Sequence, residues 1–233
     1  EMCIRDRLFI DQYVDDYEGL RLVSECFAED VKMVSDADLD IVVDNTKLKG
    51  SVIIAGSVDN NMLINKLVQE GKLNVDEIRG KWEVYKIDVV ENPFDGVDKA
   101  LVITGSDKRG TMYGLFSISE LMGVSPWVYW ADVNPVKKDE ISFKYSEIRT
   151  VSKEPSVKYR GIFLNDEEPS LGTWVNNKFK TTSGGKFNEN FYEHVFQPRG
   201  TAFDLEEIRN REAKPERELD DIIIELLMQN ETT

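Results

Sequence analysis

Apolar positions recur along this chain with two alternating periods, and the switches between them outline its elements. From 17 to 34, Tyr17, Leu20, Phe27, Val31 and Val34 fall at helical spacing while acids and Lys32 fill the opposite face, which predicts an amphipathic helix. Leu39–Val43 then reads as extended, and Ser51–Ser57, rich in Val and Ile, reads as a strand. Asn60–Gln69 returns to helical spacing through Met62, Leu63, Ile64, Leu67 and Val68, with Gly71 as its stop. Trp82–Val90 alternates and predicts a strand ending at Asn92-Pro93, and Ala100–Thr104 predicts a short buried strand entering Gly105-Ser106-Asp107. A third helix follows to Met122, with Ser106 or Asp107 placed to cap its free N–H groups and Gly123 where a left-handed C′ residue is expected. Ser125–Asp132 reads as a loop and Ile141–Tyr145 as a closing strand.

Repeated exchange of helix and strand over 17–145 predicts an α/β (α+β) domain, with helices packed on one small mixed sheet. Thr150–Val157, carrying Lys153, Glu154 and Pro155, reads as a polar linker. Tyr159–Leu164 reads as a continuous apolar strand running into Asn165-Asp166-Glu167-Glu168-Pro169, and such near-unbroken apolarity predicts a strand buried on both faces, as in a parallel barrel. Glu1–Arg7 carries no pattern and reads as non-native sequence. From Gln197 the composition turns charged until the amphipathic stretch Glu218–Met228. The expected organisation is a non-native or disordered start at 1–13 and an N-terminal α/β domain at 14–149. A linker with the first strand of a new domain follows at 150–196, then a tail of changed composition at 197–233.

Composition narrows the chemistry. A hydrophobic content of 41% supplies a core, and the apolar runs fall far short of the roughly 20 residues that a bilayer span needs. No charged segment followed by an apolar one opens the chain, so no signal peptide is visible. Acidic residues number 44 against 29 basic, a net charge of −15 that repels phosphate backbones; nucleic acid and anionic membrane are therefore not expected partners. Cys3 and Cys26 make neither a disulfide framework nor a metal site, and the single histidine, His194, argues against a zinc centre or a Ser-His-Asp triad. No metal and no cofactor are expected, and catalysis would rest on carboxylates.

Asn165-Asp166-Glu167-Glu168 is the sharpest candidate, because polar residues at the carboxyl end of a barrel strand sit on the catalytic face. Asp166 and its neighbours can orient water, accept sugar hydroxyls or act as general base; the same residues also read as an acidic turn closed by Pro169. Neighbouring residues on a strand face opposite ways, so Asp166 and Glu167 cannot easily serve one bond together, and a partner carboxylate is expected from another strand. Gly105-Ser106-Asp107-Lys108-Arg109-Gly110-Thr111 invites a phosphate-loop reading but fails it, since Thr111 stands where the lysine is required. Lys108 and Arg109 at a helix start can attract a carboxylate such as a uronic acid, or can simply be solvated. Trp127, Tyr129 and Trp130 suit sugar stacking or a domain interface, the interface being favoured, and Trp174 is better placed for a sugar ring. His194, among Phe191, Tyr192, Val195 and Phe196, reads as a packing residue.

Several of these segments together resemble glycoside hydrolase family 115: 105–111, Gly-Val-Ser-Pro-Trp at 123–127, Tyr-Trp-Ala-Asp-Val at 129–133, and Val-Lys-Tyr-Arg-Gly-Ile-Phe-Leu-Asn-Asp-Glu at 157–167. Glu-Gly-Lys-Leu at 70–73, Gly-Lys-Trp-Glu at 80–83 and 190–196 are similar to the same proteins. The resemblance implies inverting removal of α-1,2-linked (4-O-methyl)glucuronic acid from xylan. It also implies an accessory domain ahead of a (β/α)8 barrel. It places Asn165, Asp166 and Glu167 on the acidic loop after the first barrel strand, which lines the active site, with Asp166 expected to bind substrate or position water; Asp166 and Glu167 are the expected catalytic residues, and Asn165, Trp174, Lys108 and Arg109 the expected substrate contacts. Glucuronoxylan or xylo-oligosaccharide is the implied partner, with a homodimer left open and a secreted or periplasmic location for the full-length parent. After Phe196 the pattern departs: Pro198 would break the helix expected there, and the remaining 37 residues cannot complete a barrel of about 250 residues. The chain alone is accordingly expected to be an inactive fragment. The alternative is a non-catalytic carbohydrate-binding or scaffold module.

Overall fold

A computed structural model describes residues 2–3, 7–128 and 131–161. The chain divides into two units, Glu1–Ser156 and Val157–Thr233. In chain order the described elements are β1 (Met2–Cys3), β2 (Arg7–Ile10), α1 (Tyr17–Ser35), β3 (Asp40–Val42), β4 (Gly50–Ser57) and α2 (Met62–Gln69). They continue with β5 (Tyr85–Phe94), β6 (Val97–Gly105), α3 (Lys108–Met122), β7 (Ser142–Phe143), α4 (Tyr145–Ile148) and β8 (Thr150–Val151).

Six strands form one mixed sheet in the order β3-β2-β4-β6-β5-β8. The first four are mutually parallel, while β5 runs antiparallel to both β6 and β8. This is the expected α/β class with a mixed sheet. Alternation along the strands sends two sets of side chains to opposite faces. Leu8, Ile10, Ile53, Ala55, Leu101, Ile103, Ile87 and Val89 meet Leu20, Phe27 and Val31 of α1 and Leu115, Ile118 and Met122 of α3. Phe9, Val52, Ile54, Ala100 and Val102 meet Leu63, Ile64 and Leu67 of α2 together with Leu73, Val75, Ile78 and Val84. Both faces are thus covered, as parallel strands require.

Within the start expected as non-native or disordered at 1–13, the structure corrects the expectation over Arg7–Ile10. Arg7–Ile10 is an interior strand, hydrogen-bonded to β3 on one side and β4 on the other, and Leu8, Phe9 and Ile10 are wholly buried. Burying each such side chain contributes about 1.5–3 kcal/mol relative to leaving it in water. Four residues are too few to display a period, which is why the pattern missed them.

The other end needs correction too. Thr150–Val151, expected as linker, pairs with β5 as the sheet's outer strand. Ser152 extends this seam: its N–H donates to the Tyr85 carbonyl, and its Oγ accepts from the Tyr85 N–H at 2.9 Å. Glu154 accepts from the Trp82 N–H at 3.0 Å. The expected closing strand around Ile141–Tyr145 is reduced to β7, which pairs with β1 in a separate two-stranded ribbon. The strand expected to end at Asn92-Pro93 instead passes through a bulge to Phe94 and turns at Asp95-Gly96, where Gly96 has φ +78°. Of the second-domain strand expected at Tyr159–Leu164, residues 159–161 are not in a strand, and Tyr159 is half exposed. Arg160 breaks the apolar run, and its Nη1 donates to the Val157 carbonyl at 2.7 Å. Residues 162–164, and the tail at 197–233, lie outside the described residues.

Candidate functional site

Of the residues singled out from sequence, Asn165, Asp166, Glu167 and Trp174 lie outside the described residues, as do Tyr129, Trp130 and His194. Lys108, Arg109 and Trp127 lie within them. Trp127 is 60% exposed while its neighbour Val128 is buried against the α1–α3 layer.

The Gly105–Thr111 segment is a junction between strand and helix whose polar groups are spent on the protein itself. Asp107 caps α3, its Oδ1 accepting from the Gly110 N–H and its Oδ2 from the Glu83 N–H, both at 2.7 Å. Ser106 Oγ accepts from the Val84 N–H at 3.0 Å, and the Ser106 N–H donates to the Val84 carbonyl. Arg109 lies 2.9 Å from the carboxylate of Glu83, whose side chain is 5% exposed, and reaches Tyr113 OH at 3.4 Å. Glu83 takes φ +56°, a left-handed conformation that non-glycine residues rarely adopt, and the hydrogen bond to its N–H helps hold it there.

The glycines are equally structural. A Cβ on Gly105 would clash with the Thr111 backbone, and one on Gly110 would clash with the Val84 carbonyl. They permit close approach of α3 to residues 83–85, with no cradle left for a phosphate. Arg109, expected from sequence to attract a substrate carboxylate, is taken by the protein's own Glu83. Lys108 remains exposed.

Sequence reasoning missed a second polar cluster at the carboxyl ends of β2 and β4. The chain leaves β2 toward β3 on one side and later returns to β4 on the other, so this crevice is the topological switch point where α/β sheets bind ligands. Here the crevice is filled from within. Asp11 accepts from the Met62 N–H at 2.9 Å and from the Tyr13 N–H at 3.0 Å. Ser57 Oγ donates to Asp16, and Asn61 caps α2 while its Nδ2 donates to the Ala55 carbonyl at 3.2 Å. A Cβ on Gly56 would lie 2.6 Å from Asn61. With its acceptors engaged and its space occupied, this edge builds the domain rather than a catalytic pocket. No sequence pattern marks Asp11, and Glu83 stands out only as part of Gly-Lys-Trp-Glu at 80–83, because each acts through contacts far away in the chain.

Residues 152–198 match the family model described as glycosyl hydrolase family 115. Among solved structures, the chain is similar to BtGH115A, a family GH115 4-O-methyl-α-glucuronidase with specificity for decorated arabinogalactans. It shares 28% identity with that protein, with a TM-score of 0.60, over 78% of this chain and 22% of that one. It therefore spans only about a fifth of that protein's length. CpGH84D aligns with a TM-score of 0.34 and 9% identity over 53% of this chain and 18% of that one, too distant to inform the fold. No curated protein matches the chain. The chain is thus similar over 152–198 to the family model of glycosyl hydrolase family 115, and in sequence and fold to one glucuronidase of that family.

Proposed function

We propose that this chain is part of a glycoside hydrolase that releases (4-O-methyl)glucuronic acid from a decorated plant polysaccharide, with residues 7–154 serving as the accessory domain. The observation that carries the reading is the family match at 152–198, which includes the acidic run Asn165-Asp166-Glu167. The 28% identity with a 4-O-methyl-α-glucuronidase supports it.

In this reading Asp166 holds or deprotonates the attacking water, and Glu167 is the second carboxylate of the acidic loop. Asn165 hydrogen-bonds a sugar hydroxyl, and Trp174 covers the apolar face of a ring. Inversion requires an acid and a base about 6.5–9.5 Å apart, with water between the base and the anomeric carbon. Adjacent residues seldom meet that geometry, so one carboxylate comes from a part of the barrel other than this loop. Recognition of the uronate falls to groups other than Arg109, which Glu83 neutralises. On this reading the 233 residues by themselves, which span about a fifth of the glucuronidase they resemble, release no uronate.

The test is uronate release by the full-length protein and by the 233-residue chain, on glucuronoxylan and on decorated arabinogalactan, with the anomer of the product read by NMR. The reading expects release by the full-length protein only, with xylan as the preferred substrate and the product of opposite anomeric configuration to the bond cleaved. Failure of the full-length protein on both polysaccharides, or turnover by the 233 residues alone, contradicts it.

A further inference from the structure

We propose that an open hollow at the amino-terminal end of β2 and β3 is an ancillary binding site for a sugar acid. The hollow, of about 490 Å³, is lined by Arg7, Asp40, Ile41, Val42, Thr46, Lys47 and Lys49. That volume falls within the range of small-ligand sites, roughly 300–1,000 Å³. Its walls come from four places that the fold joins. Arg7 opens β2 and stands in register with Asp40 of β3, Lys49 precedes β4, and Thr46 and Lys47 belong to the 3-10 turn Asn45–Lys47.

The charge pattern singles this hollow out. Elsewhere the described cations are mostly engaged: Arg21, Lys32, Lys66, Lys72, Lys86, Arg109 and Arg149 all pair with carboxylates. Arg7, Lys47 and Lys49 make no ion pair among the described residues, yet they gather around one hollow in a chain of net charge −15. Asp40 is the one acid in the lining. Lys47 also feels Asp44, whose carboxylate is already bound by Thr46 Oγ1 at 2.7 Å and the Thr46 N–H at 2.9 Å. Three cations against one lining acid leave the hollow positive.

The rest of the lining selects a sugar acid over a bare anion. Asp40 accepts hydroxyl protons but repels a phosphate dianion, and Thr46 Oγ1, having donated its proton to Asp44, presents lone pairs only. Val42, two residues along β3 from Asp40 and so on its face of the sheet, offers a small apolar patch for the C–H face of a ring. Arg7 supplies the planar fork that grips a carboxylate through two N–H groups. The choice of a uronic-acid glycan rests on the function proposed above, whereas the positive hollow rests on the fold alone.

The experiment is an NMR titration of the 233-residue chain at low salt. The probes are a xylo-oligosaccharide bearing glucuronic acid, its neutral counterpart, and inorganic phosphate. Saturable binding of the acidic oligosaccharide with shifts at 40–49 is expected, weakened about tenfold or more in R7Q/K49Q, as loss of charge-assisted hydrogen bonds requires. K47Q/K49Q, altered only at exposed positions, gives a second reading if the Arg7 variant does not fold. Equal binding of the neutral sugar, equal or tighter binding of phosphate, unchanged affinity in the variants, or no binding overturns the proposal. Binding without hydrolysis by the full-length protein would uphold this site and sink the catalytic reading; the reverse outcome would do the opposite.

Discussion

Replacing Arg109 by alanine removes the guanidinium that lies 2.9 Å from Glu83, inside a turn already held at φ +56°. Breaking a fully buried ion pair costs roughly 3–5 kcal/mol, because the remaining carboxylate stays desolvated. The Arg109 side chain is 29% exposed, so water partly replaces it and the loss falls to about 2–3 kcal/mol. For a domain of this size that corresponds to a fall in Tm of roughly 4–12 °C. Urea denaturation of the 233-residue chain, followed by fluorescence of Trp82 beside the turn, reads the midpoint directly. R109M/E83L, which removes both charges and keeps apolar bulk, should recover to within about 1 kcal/mol of the parent, because no desolvated carboxylate is left behind. A loss in R109A below about 0.5 kcal/mol, or a double variant equal to the sum of the singles, would refute the idea that this pair organises the junction.

Three further outcomes follow from the same packing. Gly110→Ala should destabilise the fold by more than about 1 kcal/mol in thermal denaturation, despite alanine's better helix propensity, because its Cβ meets the Val84 carbonyl. Phe9→Ala should cost about 3–5 kcal/mol or prevent folding, as judged by circular dichroism, since that ring is wholly buried in an interior strand. The Asp44 carboxyl is held below its usual range by hydrogen bonds from the Thr46 side chain and then the Thr46 backbone. A carboxyl pKa lowered by folding contributes stability above the ordinary Asp value and loses it as pH falls through the folded value. T46A should therefore raise the Asp44 pKa seen by NMR toward the ordinary Asp range and flatten that part of the acid limb.

Much of the fold was legible because local chemistry and tertiary structure agree where elements are long. Helices α1 and α3 show their periods, and Asp107 and Gly123 occupy the cap positions that the sequence assigned them. Strands β4 and β6 read correctly as buried Val- and Ile-rich runs. What escaped is short or defined by distant partners. β2 has four residues between patternless neighbours, and β8 has two polar-flanked residues whose strand character exists only through pairing with β5. The segment 105–111 lacks the lysine of a phosphate loop, and its task of lacing Glu83 and Val84 to α3 depends on residues more than twenty positions upstream. Arg109 looked available for substrate because an ion-pair partner so far away in sequence leaves no local trace. The resemblance to glycoside hydrolase family 115 is matched by the family model over 152–198.

The central claim is that this family segment carries the chemistry of uronate release. The most direct test is the kcat of the full-length protein with Asp166→Ala, assayed on an oligosaccharide bearing one glucuronic acid branch. A fall of about 10²-fold or more, with circular dichroism unchanged, is the predicted result, in line with the loss of a general base. Turnover within a few-fold of the unsubstituted enzyme would contradict it.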